Sequence, residues 1–464
     1  MKKLWTATDL TEATGGIFSA PFDATGISID TRTLQPGDLF VALLGENRDG
    51  HDFVGDALAR GAAGALVHHD ITGLPPGANL LRVDDTLAGL TRMGAFARAR
   101  FMGRLVAVTG SVGKTTTKEM LRAILAAHGP THAAEASFNN QWGVPLTLAR
   151  LPADAAWCVV EIGMNHAGEI LPLARLARPH VALITNVEKT HIGHLGTLAA
   201  IAAEKFSIVR GLEPGGIAVL PADSAPLKKL RAARGDLRVI IFGDTTEADA
   251  RLLVVEADAE GTDLTAEIAG TIVSTRLAAP GRHMAMNAVA ALAAATSLGA
   301  DPARGAQALA GFSPVAGRGA RRRISVRGGG TALLLDESYN ASPPAMRAAL
   351  AVLALQRENR RIAVLGDMLE LGPDGPAEHV GLAPDISASA DLLFTCGPLM
   401  RLLHDAIPPA RRGAHAPDSA ALAPLVARAV ADGDAILVKG SLGSRMRRVI
   451  AALDPSGEPL AETG

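Results

Sequence analysis

The stretch RLVAVTGSVGKTTTKEM, from Arg104 to Met120, decides the fold of this chain of 464 residues. The run RLVAVT predicts a short buried strand, and the residues from Lys114 to about Ala127 predict a helix. A glycine-rich loop between a strand and a helix can surround phosphate oxygens with backbone N–H groups, and the helix dipole adds to the attraction. The stretch therefore predicts a phosphate-binding loop in an α/β domain.

The loop TGSVGKTT (109–116) carries cationic and hydroxyl side chains that suit phosphate chemistry. Lys114 supplies a mobile positive charge for the β- and γ-phosphates, and the Thr115 hydroxyl can bind Mg²⁺. The usual loop has a glycine five residues before Gly113, where this chain has Val108. A chance Gly-Lys-Thr turn is the alternative, and the flanking strand and helix argue against it. The predicted phosphate contacts are Gly110, Ser111, Val112, Gly113, Lys114, Thr115 and Thr116.

Segments on both sides of the loop predict two further α/β units. After the loop, apolar strands at 157–164, 181–187 and 217–222 alternate with helices, which favours a mostly parallel sheet covered on both faces. Residues 251–277 alternate apolar and polar side chains and predict antiparallel strands, followed by an Ala-rich helix at 285–298. Before the loop we expect strands within 26–43, at 65–68 and at 80–83, with helices at 53–60 and 86–100. After a basic, Gly-rich boundary at 315–323, strands are expected at 331–338, 361–368 and 434–441.

These patterns predict an α/β fold of three domains, with the phosphate loop in the central one. The expected boundaries are 1–86, 87–316 and 317–464. Three such units with a nucleotide loop in the middle one suggest substrates that meet across closing domains. An N-K-x-D guanine-reading motif is missing from the sequence, which argues against a GTPase.

Composition narrows the class of partners. A net charge of -2 predicts no general attraction to nucleic acid or to anionic membranes. Acidic Asp9 and Glu12 interrupt the N-terminal apolar stretch, so we expect no signal peptide, and we expect no membrane-spanning segment. The two cysteines, Cys158 and Cys396, lie in apolar runs and are predicted to be buried thiols of a reducing compartment. We therefore expect a cytoplasmic protein.

Four side chains beyond the loop are candidates for chemistry. Glu161 closes the apolar run WCVVEI, and an acid at the carboxyl end of a buried strand can reach a metal at a neighbouring phosphate loop. A carboxylate satisfied by backbone donors is the alternative. His191 and His194 follow another strand, although Mg²⁺ prefers oxygen ligands and a histidine there can equally be structural. Lys205 lies on a predicted helix, where a solvated lysine is the alternative.

At these residues the chain resembles the Mur ligase family, most closely the branch that adds D-alanyl-D-alanine, and the resemblance covers nearly the whole chain. The motifs that carry it are TGSVGKTTTKE, SFNNQWGVPLT (137–147), PGRHMAMNAVAAL, LLDESYNASPPAMRAAL, VLGDMLELG and LVKGSLGSRM. In the first domain, DTRTLQPGDLFVALLGENRDGHDFV looks like the family segment that holds a UDP-sugar. The D-N-P-R motif of the neighbouring diamino-acid-adding branch is missing from the sequence.

The resemblance implies roles for individual residues. Glu161 and His191 would bind Mg²⁺, and Lys205 falls where family members carry a carbamylated lysine that can hold a second Mg²⁺. Met284 replaces the first Asn of the family's adenine motif, so Asn287 is the candidate for adenine, and Arg318 matches an arginine that reaches the γ-phosphate. The remaining implied contacts are Thr31, Arg32, Asn139 and Asn140 for the UDP-linked substrate, and Asp336, Tyr339 and Asn340 for ATP.

The implied reaction is an ATP-driven amide ligation in peptidoglycan synthesis. The carboxylate of a UDP-N-acetylmuramoyl tripeptide would form an acyl phosphate with ATP, and the amine of D-Ala-D-Ala would then attack it. The resemblance thus implies ATP and Mg²⁺ as cofactors, with both peptides as substrates, and we expect a monomer. Rivals are another Mur ligase, a folylpolyglutamate-synthase-like ligase, and a nucleotide-switched binding protein without ligase activity.

The turn after the last apolar strand suggests a place for the dipeptide. Lys439, Gly440 and Ser441 follow that strand and precede a helix expected near Met446. A strand followed by such a turn can present backbone N–H groups and a cation to an anion. Lys439 and Ser441 are therefore predicted to bind the D-Ala-D-Ala carboxylate. The alternative for Lys439 is a helix cap or a partner for Asp434.

Overall fold

Three β-sheets organise the chain, and each is built from a separate stretch of sequence. The computed structural model describes residues 2–45, 47–134, 137–190 and 192–455. By the density of their contacts, these residues form two compact units. One comprises 2–109, 125–183 and 207–218, and the other comprises 110–124, 184–206 and 219–455, always within the described residues.

The first sheet has five strands in the order β1-β5-β4-β3-β2. All neighbours are parallel except β1 and β5, which pair antiparallel. The strands are β1 (Ile17–Phe18), β2 (Gly26–Ser28), β3 (Asp38–Val41), β4 (Gly64–Val67) and β5 (Leu80–Arg82), and the helices are α1 (Ala7–Thr14), a 3₁₀ turn (Gly50–Phe53), α2 (Val54–Ala59) and α3 (Thr86–Arg100).

Alternating side chains give this sheet two apolar faces. Leu39 and Val41 point to one core, and Phe40 points to the other, because successive residues of a strand face opposite sides. The larger core also contains Leu146 and Ala149, which lie on a helix of the next segment of the chain. This sheet therefore completes its apolar packing with residues from beyond its own strands.

The second sheet has nine strands in the order β14-β13-β12-β11-β10-β9-β6-β8-β7. Strand β6 pairs in parallel with β8, whereas β12, β13 and β14 form the antiparallel meander that the alternation at 251–277 predicts. The strands are β6 (Arg104–Thr109), β7 (Thr131–Ala133), β8 (Trp157–Glu161), β9 (Val181–Ile184), β10 (Ile217–Pro221), β11 (Arg238–Gly243), β12 (Ala250–Ala257), β13 (Thr262–Ile268) and β14 (Thr271–Leu277).

Helices of the same stretch follow most of these strands. They are α4 (Lys114–Ala126), α5 (Gly143–Ala149), α6 (Ile170–Ala177), α7 (Ile192–Leu195), α8 (Leu198–Phe206), a 3₁₀ turn (Ser207–Gly211), α9 (Ala225–Ala232), α10 (Arg282–Ser297) and α11 (Pro302–Ala308). Helix α10 is rich in alanine and mostly buried. It begins at Arg282, three residues before the predicted start, because Gly281 adopts a φ of 116° and ends the preceding extended segment.

The third sheet has six strands in the order β15-β16-β20-β17-β18-β19, and only β15 runs antiparallel to its neighbour. Its strands are β15 (Ala320–Ser325), β16 (Thr331–Glu337), β17 (Arg360–Gly366), β18 (Leu392–Cys396), β19 (Arg412–Ala416) and β20 (Asp434–Lys439). Its helices are α12 (Pro343–Ala354), α13 (Gly375–Val380), α14 (Ala383–Ser389), α15 (Pro398–Ala406), α16 (Ser419–Ala429) and α17 (Arg447–Leu453), with 3₁₀ turns at Gly372–Asp374, Pro409–Arg411 and Leu442–Ser444.

Helices cover both faces of this sheet. Leu335 and Leu437 face a core that contains Leu350 of α12, whereas Leu334 and Ile436 face a core built with α16 and α17. Such two-sided burial explains why the strands read as continuous apolar runs in the sequence.

The predicted α/β fold class is confirmed, and most predicted strands lie within two residues of the observed ones. The last residues of the basic stretch 315–323 belong to β15, a strand that was not predicted. Strands β18 and β19 were not predicted.

Cys158 and Cys396 are buried free thiols, as expected. None of the helices in the described parts of the chain is long and apolar enough to cross a membrane. The domain boundaries at 86 and 316 stay predictions.

We expect Leu146→Ala to destabilise the first sheet, although Leu146 lies outside it. The side chain is fully buried in that sheet's larger core, and removing a buried leucine typically costs about 2–5 kcal/mol. Hydrogen–deuterium exchange in β3 and β4 should become faster than in the wild type. Leu402→Ala, at a leucine with 41% exposure, is the matched control and should change stability by less than about 0.5 kcal/mol. Unchanged exchange in both variants would contradict the shared core.

Candidate active site

The predicted phosphate loop lies between β6 and α4, as its sequence indicates. Gly110 and Gly113 adopt φ angles of 152° and 80°, the second of which is a left-handed conformation that favours glycine. Helix α4 begins at Lys114, so its N-terminus points into the loop. The geometry is that of an anion-binding turn at a helix N-terminus.

Side chains that follow β9 hold this loop in place. The backbone N–H groups of Ser111 and Val112 both donate to Asn186 Oδ1, at 3.1 and 2.9 Å. The Thr185 hydroxyl donates to the carbonyl of Val112 at 2.6 Å. Ser111 Oγ donates to the carbonyl of Glu188 and accepts from its N–H group. The loop conformation is therefore set by polar residues some seventy positions further along the chain.

Lys114 folds back over the loop. Its Nζ donates to the carbonyl of Gly110 at 2.8 Å and to that of Ser111 at 3.3 Å. The ammonium group is thus fixed over the loop, where a bound phosphate group would meet a cation.

Asn287, the predicted adenine contact, lies against the loop. A Cβ atom on Gly113 would lie 2.7 Å from Asn287 Oδ1. Its neighbours His283 and Met284 line a small cavity with Pro314 and Glu337. That cavity has a volume of about 20 Å³, enough for one water molecule and far too small for a purine base.

Glu161 ends β8 and is 1% exposed. In the register of β6 and β8 it lies opposite Val108, the residue before the loop begins. Asn139 Nδ2 donates to Glu161 Oε1 at 2.7 Å and so orients this carboxylate, whereas its contact with the nucleotide-sugar stays a prediction. Asn140 Oδ1 accepts from the backbone N–H groups of Trp142 and Gly143 and thereby supports the start of α5.

Lys205 is 1% exposed on α8, so the alternative of a solvated lysine is wrong. Burial, together with the positive charge of Lys114, lowers the pKa of its amine well below the usual value, against the opposing effect of Glu204. A neutral amine is a nucleophile, which an ammonium group is not.

His194 is an exposed residue of α7. His191, the other predicted ligand, lies outside the described residues.

The third sheet gathers several of the other predicted residues. The guanidinium of Arg318 stacks on the ring of Tyr339, 3.9 Å from its centroid. Asp336 is fully buried, and its Oδ1 accepts from the N–H and hydroxyl groups of Ser338. Its Oδ2 has no hydrogen-bond partner among the described residues, and Arg322 is 3.8 Å away. A buried carboxylate oxygen without a hydrogen bond is unusual in a protein and often marks a functional position.

The predicted dipeptide residues are buried and already bonded. Lys439 Nζ donates to Glu337 Oε2 at 3.2 Å and to the carbonyl of Asn340 at 3.0 Å. Ser441 Oγ accepts from the N–H group of Leu369, which joins the VKGS and GDMLELG segments. Arg360 is the partner of Asp434, so the alternative in which Lys439 neutralises Asp434 is wrong.

The predicted UDP-sugar contacts lie after β2. Thr31 is partly exposed, and Arg32 is exposed. The guanidinium of Arg32 donates to both carboxylate oxygens of Asp30. These hydrogen bonds outweigh partial burial and lower the pKa of Asp30. Arg32 is therefore held in place by its neighbour with its side chain still open to solvent.

Thr185, Asn186 and Glu188 are the site residues that sequence reasoning missed. They follow the strand VALI directly, at the edge where carboxyl ends of parallel strands meet ligands. The sequence TNVE, at the carboxyl end of a buried parallel strand, is therefore a usable signal for a ligand site.

Comparisons with known proteins agree with this geometry. Residues 23–83, 108–295 and 322–442 match the models described as Mur ligase family, catalytic domain, Mur ligase middle domain, and Mur ligase, glutamate ligase domain. The chain is 35% identical to the UDP-N-acetylmuramoyl-tripeptide–D-alanyl-D-alanine ligase of Escherichia coli K12, over 97% of this chain and 99% of that protein.

Two crystal structures extend the comparison. MurF from Acinetobacter baumannii superposes with a TM-score of 0.83 at 30% identity, covering 97% of this chain and 98% of that one. MurF ligase from Thermotoga maritima, in complex with ADP, has a TM-score of 0.76 at 26% identity, covering 92% and 96% of the two chains.

We expect Gly113→Ala to weaken ATP binding because its Cβ would displace the Asn287 amide from the loop. Gly73→Ala is the matched control, since Gly73 has a φ of 78° against 80° but meets nothing within 4 Å. Both variants therefore carry the same backbone strain. Calorimetric titration should show ATP affinity reduced roughly 2–13-fold in Gly113→Ala alone, the effect of one lost hydrogen bond. Equal affinities in the two variants would remove Asn287 from the nucleotide site.

Proposed function

Because the chain belongs to the Mur ligase family, we propose that it adds D-alanyl-D-alanine to UDP-N-acetylmuramoyl-tripeptide at the expense of ATP. The observation that carries the proposal is the phosphate loop with its fixed Lys114. The chain is also similar, over nearly its whole length, to a UDP-N-acetylmuramoyl-tripeptide–D-alanyl-D-alanine ligase. The product would be the pentapeptide precursor of peptidoglycan, with ADP and phosphate.

The proposed reaction has two displacement steps. An oxygen of the tripeptide carboxylate attacks the γ-phosphorus of ATP, the bond to the β-phosphate oxygen breaks, and ADP leaves. The amine of D-Ala-D-Ala then attacks the acyl carbon, the bond to the phosphate oxygen breaks, and the amine loses a proton. The protein contributes positioning and charge stabilisation to both steps.

ATP is the proposed nucleotide, and the loop supplies its phosphate contacts. Lys114 would meet the β- and γ-phosphates, and Asn287 would hold the base side of the nucleotide. The related MurF ligase from Thermotoga maritima binds ADP, which supports this assignment. Arg318 is proposed to reach the γ-phosphate, and its stacking on Tyr339 fixes the guanidinium plane beforehand.

Mg²⁺ is the proposed metal, and the available donors suit it. The Thr115 hydroxyl and the Glu161 carboxylate offer oxygen atoms, which hard cations prefer. When bound, Mg²⁺ would neutralise charge on the phosphates. Asn139 fixes the orientation of the Glu161 carboxylate through its 2.7 Å hydrogen bond. His191 stays a proposed ligand on the resemblance alone.

Carbamylation of Lys205 is the proposed modification. The neutral amine would attack CO₂, forming an N–C bond as one C=O π bond opens and releasing one proton, so that a neutral group becomes an anion. Full burial supports this assignment, because a buried ammonium group beside Lys114 is costly whereas a carbamate can pair with cations.

The dipeptide carboxylate has two candidate anchors. Lys439 and Ser441 would need to give up their present partners. A cleft of about 340 Å³ instead lies at the carboxyl ends of β17, β18 and β19, and it is lined by Arg445 and Arg448 together with Asp367 and Asp418. Both arginines are exposed, and each could pair with a carboxylate, so we favour the cleft over Lys439.

Lys439 then becomes a positioning residue. Its ammonium group links Glu337 to the carbonyl of Asn340, and thus holds the segment that carries Tyr339.

Two free cysteines and the consumption of ATP support a cytoplasmic enzyme. The domain boundaries and the monomeric state remain part of the proposal.

The function is tested by one assay that contains ATP, UDP-N-acetylmuramoyl-tripeptide and D-Ala-D-Ala, with the products identified by mass. We expect ATP turnover only when both peptides are present, and a product of pentapeptide mass. Glutamate with a folate, or a shorter UDP-linked precursor with its amino acid, should give no product. Turnover with either of those pairs would assign the chain to another ligase, and turnover with no peptide would indicate a nucleotide-switched protein.

Lys205→Ala should lower the ligation rate by roughly 10²-fold or more, since a preorganised charge beside the phosphates is lost. Depleting CO₂ at high pH should slow the wild-type enzyme, and added bicarbonate should restore it. Lys228→Ala, at an exposed lysine of α9, is the control and should keep the wild-type response. A fully active Lys205→Ala, or a wild type insensitive to CO₂, would remove the carbamate.

Arg448→Gln should raise the Michaelis constant for D-Ala-D-Ala and leave that for ATP unchanged. Loss of a charge-assisted hydrogen bond of about 1.5–3 kcal/mol corresponds to roughly 10–150-fold. Arg401→Gln is the control, because Arg401 is exposed on α15 and pairs with Asp405.

Lys439→Met should lower the maximal rate with little change in the Michaelis constant for D-Ala-D-Ala. The reverse pattern, with the dipeptide constant raised only in Lys439→Met, would return the dipeptide to Lys439 and Ser441.

A further inference from the structure

Three histidines of the first sheet form a cluster to which no step of the proposed reaction assigns a role, although His51 lies in the segment 30–54 that resembles one holding a UDP-sugar. One ring nitrogen from each of His51, His68 and His69 lies within 4.8 Å of one from each of the others. The rings of His51 and His69 are stacked at 3.9 Å, and His68 meets His51 edge-on at 4.3 Å. His51 starts the segment that leads into α2, whereas His68 and His69 directly follow β4.

The hydrogen bonds of His51 define its tautomer. The ring Nε2 accepts from the backbone N–H group of His68 at 3.1 Å, so it carries a lone pair. Nδ1 therefore carries the proton and donates to Asp49 Oδ1 at 2.6 Å. Both ring nitrogens of His51 are thus assigned in the neutral ring, which is the form that binds a metal ion.

The two polar contacts of the His69 ring cannot both be hydrogen bonds while the ring is neutral. Its Nδ1 donates to the carbonyl of Asp70 at 2.9 Å, because a carbonyl can only accept. In the neutral ring, Nε2 then carries a lone pair, yet it faces Asp49 Oδ2 at 3.3 Å. Two acceptors at this distance are stabilised by a proton or by a metal ion between them.

The other groups around the cluster suit a metal centre. Asp49 contacts the rings of both His51 and His69 and also accepts from the His51 backbone N–H group. A carboxylate that orients metal-binding histidines is a recurrent feature of such centres. Nε2 of His68 makes no hydrogen bond to any residue that the structure describes. The His69 side chain is 46% exposed, which leaves an entry path for an ion.

We propose that His51, His68 and His69 bind a first-row divalent transition cation of the Zn²⁺ class, with Asp49 as the carboxylate that orients or completes the site. Imidazole nitrogens suit this class of ion, whereas Mg²⁺ prefers oxygen. Zn–N bonds of about 2.0–2.1 Å in a tetrahedron place ligand nitrogens roughly 3.4 Å apart. The three nitrogens lie within 4.8 Å of one another, so the rings would have to move closer together to bind the ion.

Binding would exchange one hydrogen bond for a metal bond. His51 would give up the N–H group of His68 at Nε2 and keep Asp49 at Nδ1. The ion would then connect the segment before α2 to the end of β4, two places that are 17 residues apart in the sequence. We therefore expect the cation to stabilise the first sheet, independently of ligation.

The test is titration of the full-length, tag-free chain with Zn²⁺ alone, in buffer containing excess Mg²⁺ and no nucleotide. Excess Mg²⁺ occupies oxygen sites and leaves imidazole sites open. We expect one Zn²⁺ per chain, a raised melting temperature, and, with Co²⁺ as the probe, the intense visible absorption of a low-coordinate nitrogen site.

Variants separate a metal site from a protonated histidine. His69→Gln should weaken Zn²⁺ binding by more than about 100-fold, and Asp49→Asn by roughly 10–100-fold, as expected for an orienting carboxylate. His166→Gln is the matched control, because His166 is also exposed and also meets a carboxylate, Glu169, at 3.3 Å. It should bind Zn²⁺ as the wild type does. Melting without metal checks that each variant is folded.

Three outcomes would overturn the proposal. The first is a wild-type chain that binds no Zn²⁺ in the presence of Mg²⁺. The second is equal affinity in the wild type and folded His69→Gln, and the third is a loss of binding in His166→Gln. In the first case, a histidine titration by NMR that shows His69 protonated near neutral pH would identify the proton as the charge between His69 and Asp49. None of these results depends on ligase activity, so they leave the proposed function untouched.

Discussion

The hydroxyl of Thr185 donates to the carbonyl of Val112 at 2.6 Å, and the candidate active site depends on this contact. A Cβ atom at Gly110 would lie 1.8 Å from the same hydroxyl, so the loop must have glycine there. Asn186 then holds the N–H groups of Ser111 and Val112 in one direction. The phosphate loop is thus shaped by its neighbour on the sheet as much as by its own sequence.

The elements predicted with success are those with local signals. Helix α3 lies where it was predicted, because Asp85 caps its first turn and the helix ends at Phe101, which is extended. The buried parallel strands were found through their apolar runs. Strand β15 was missed because its arginines lie at the edge of a sheet, where charged side chains are tolerated and give no apolar pattern.

The candidate site was predictable only in part, for a similar reason. Residue type and motif spacing pointed to Lys114 and Glu161, whereas only the family resemblance pointed to Lys205. Their environments depend on contacts between residues far apart in sequence, such as Asn139 with Glu161 or Lys439 with Asn340. A helical lysine such as Lys205 carries no sign of its burial in its own neighbourhood. The three-histidine cluster likewise joins residues that only the packing of β4 brings together.

The shared core of the first sheet has a consequence for how the chain is made. Its five strands have all been synthesised once Arg82 has left the ribosome, yet Leu146 and Ala149 follow only with α5. During that interval the nascent chain carries a finished set of strands with part of one apolar face uncovered. Such a surface is what chaperones recognise and what promotes aggregation. Translation speed between β5 and α5 therefore sets how long the young protein remains vulnerable.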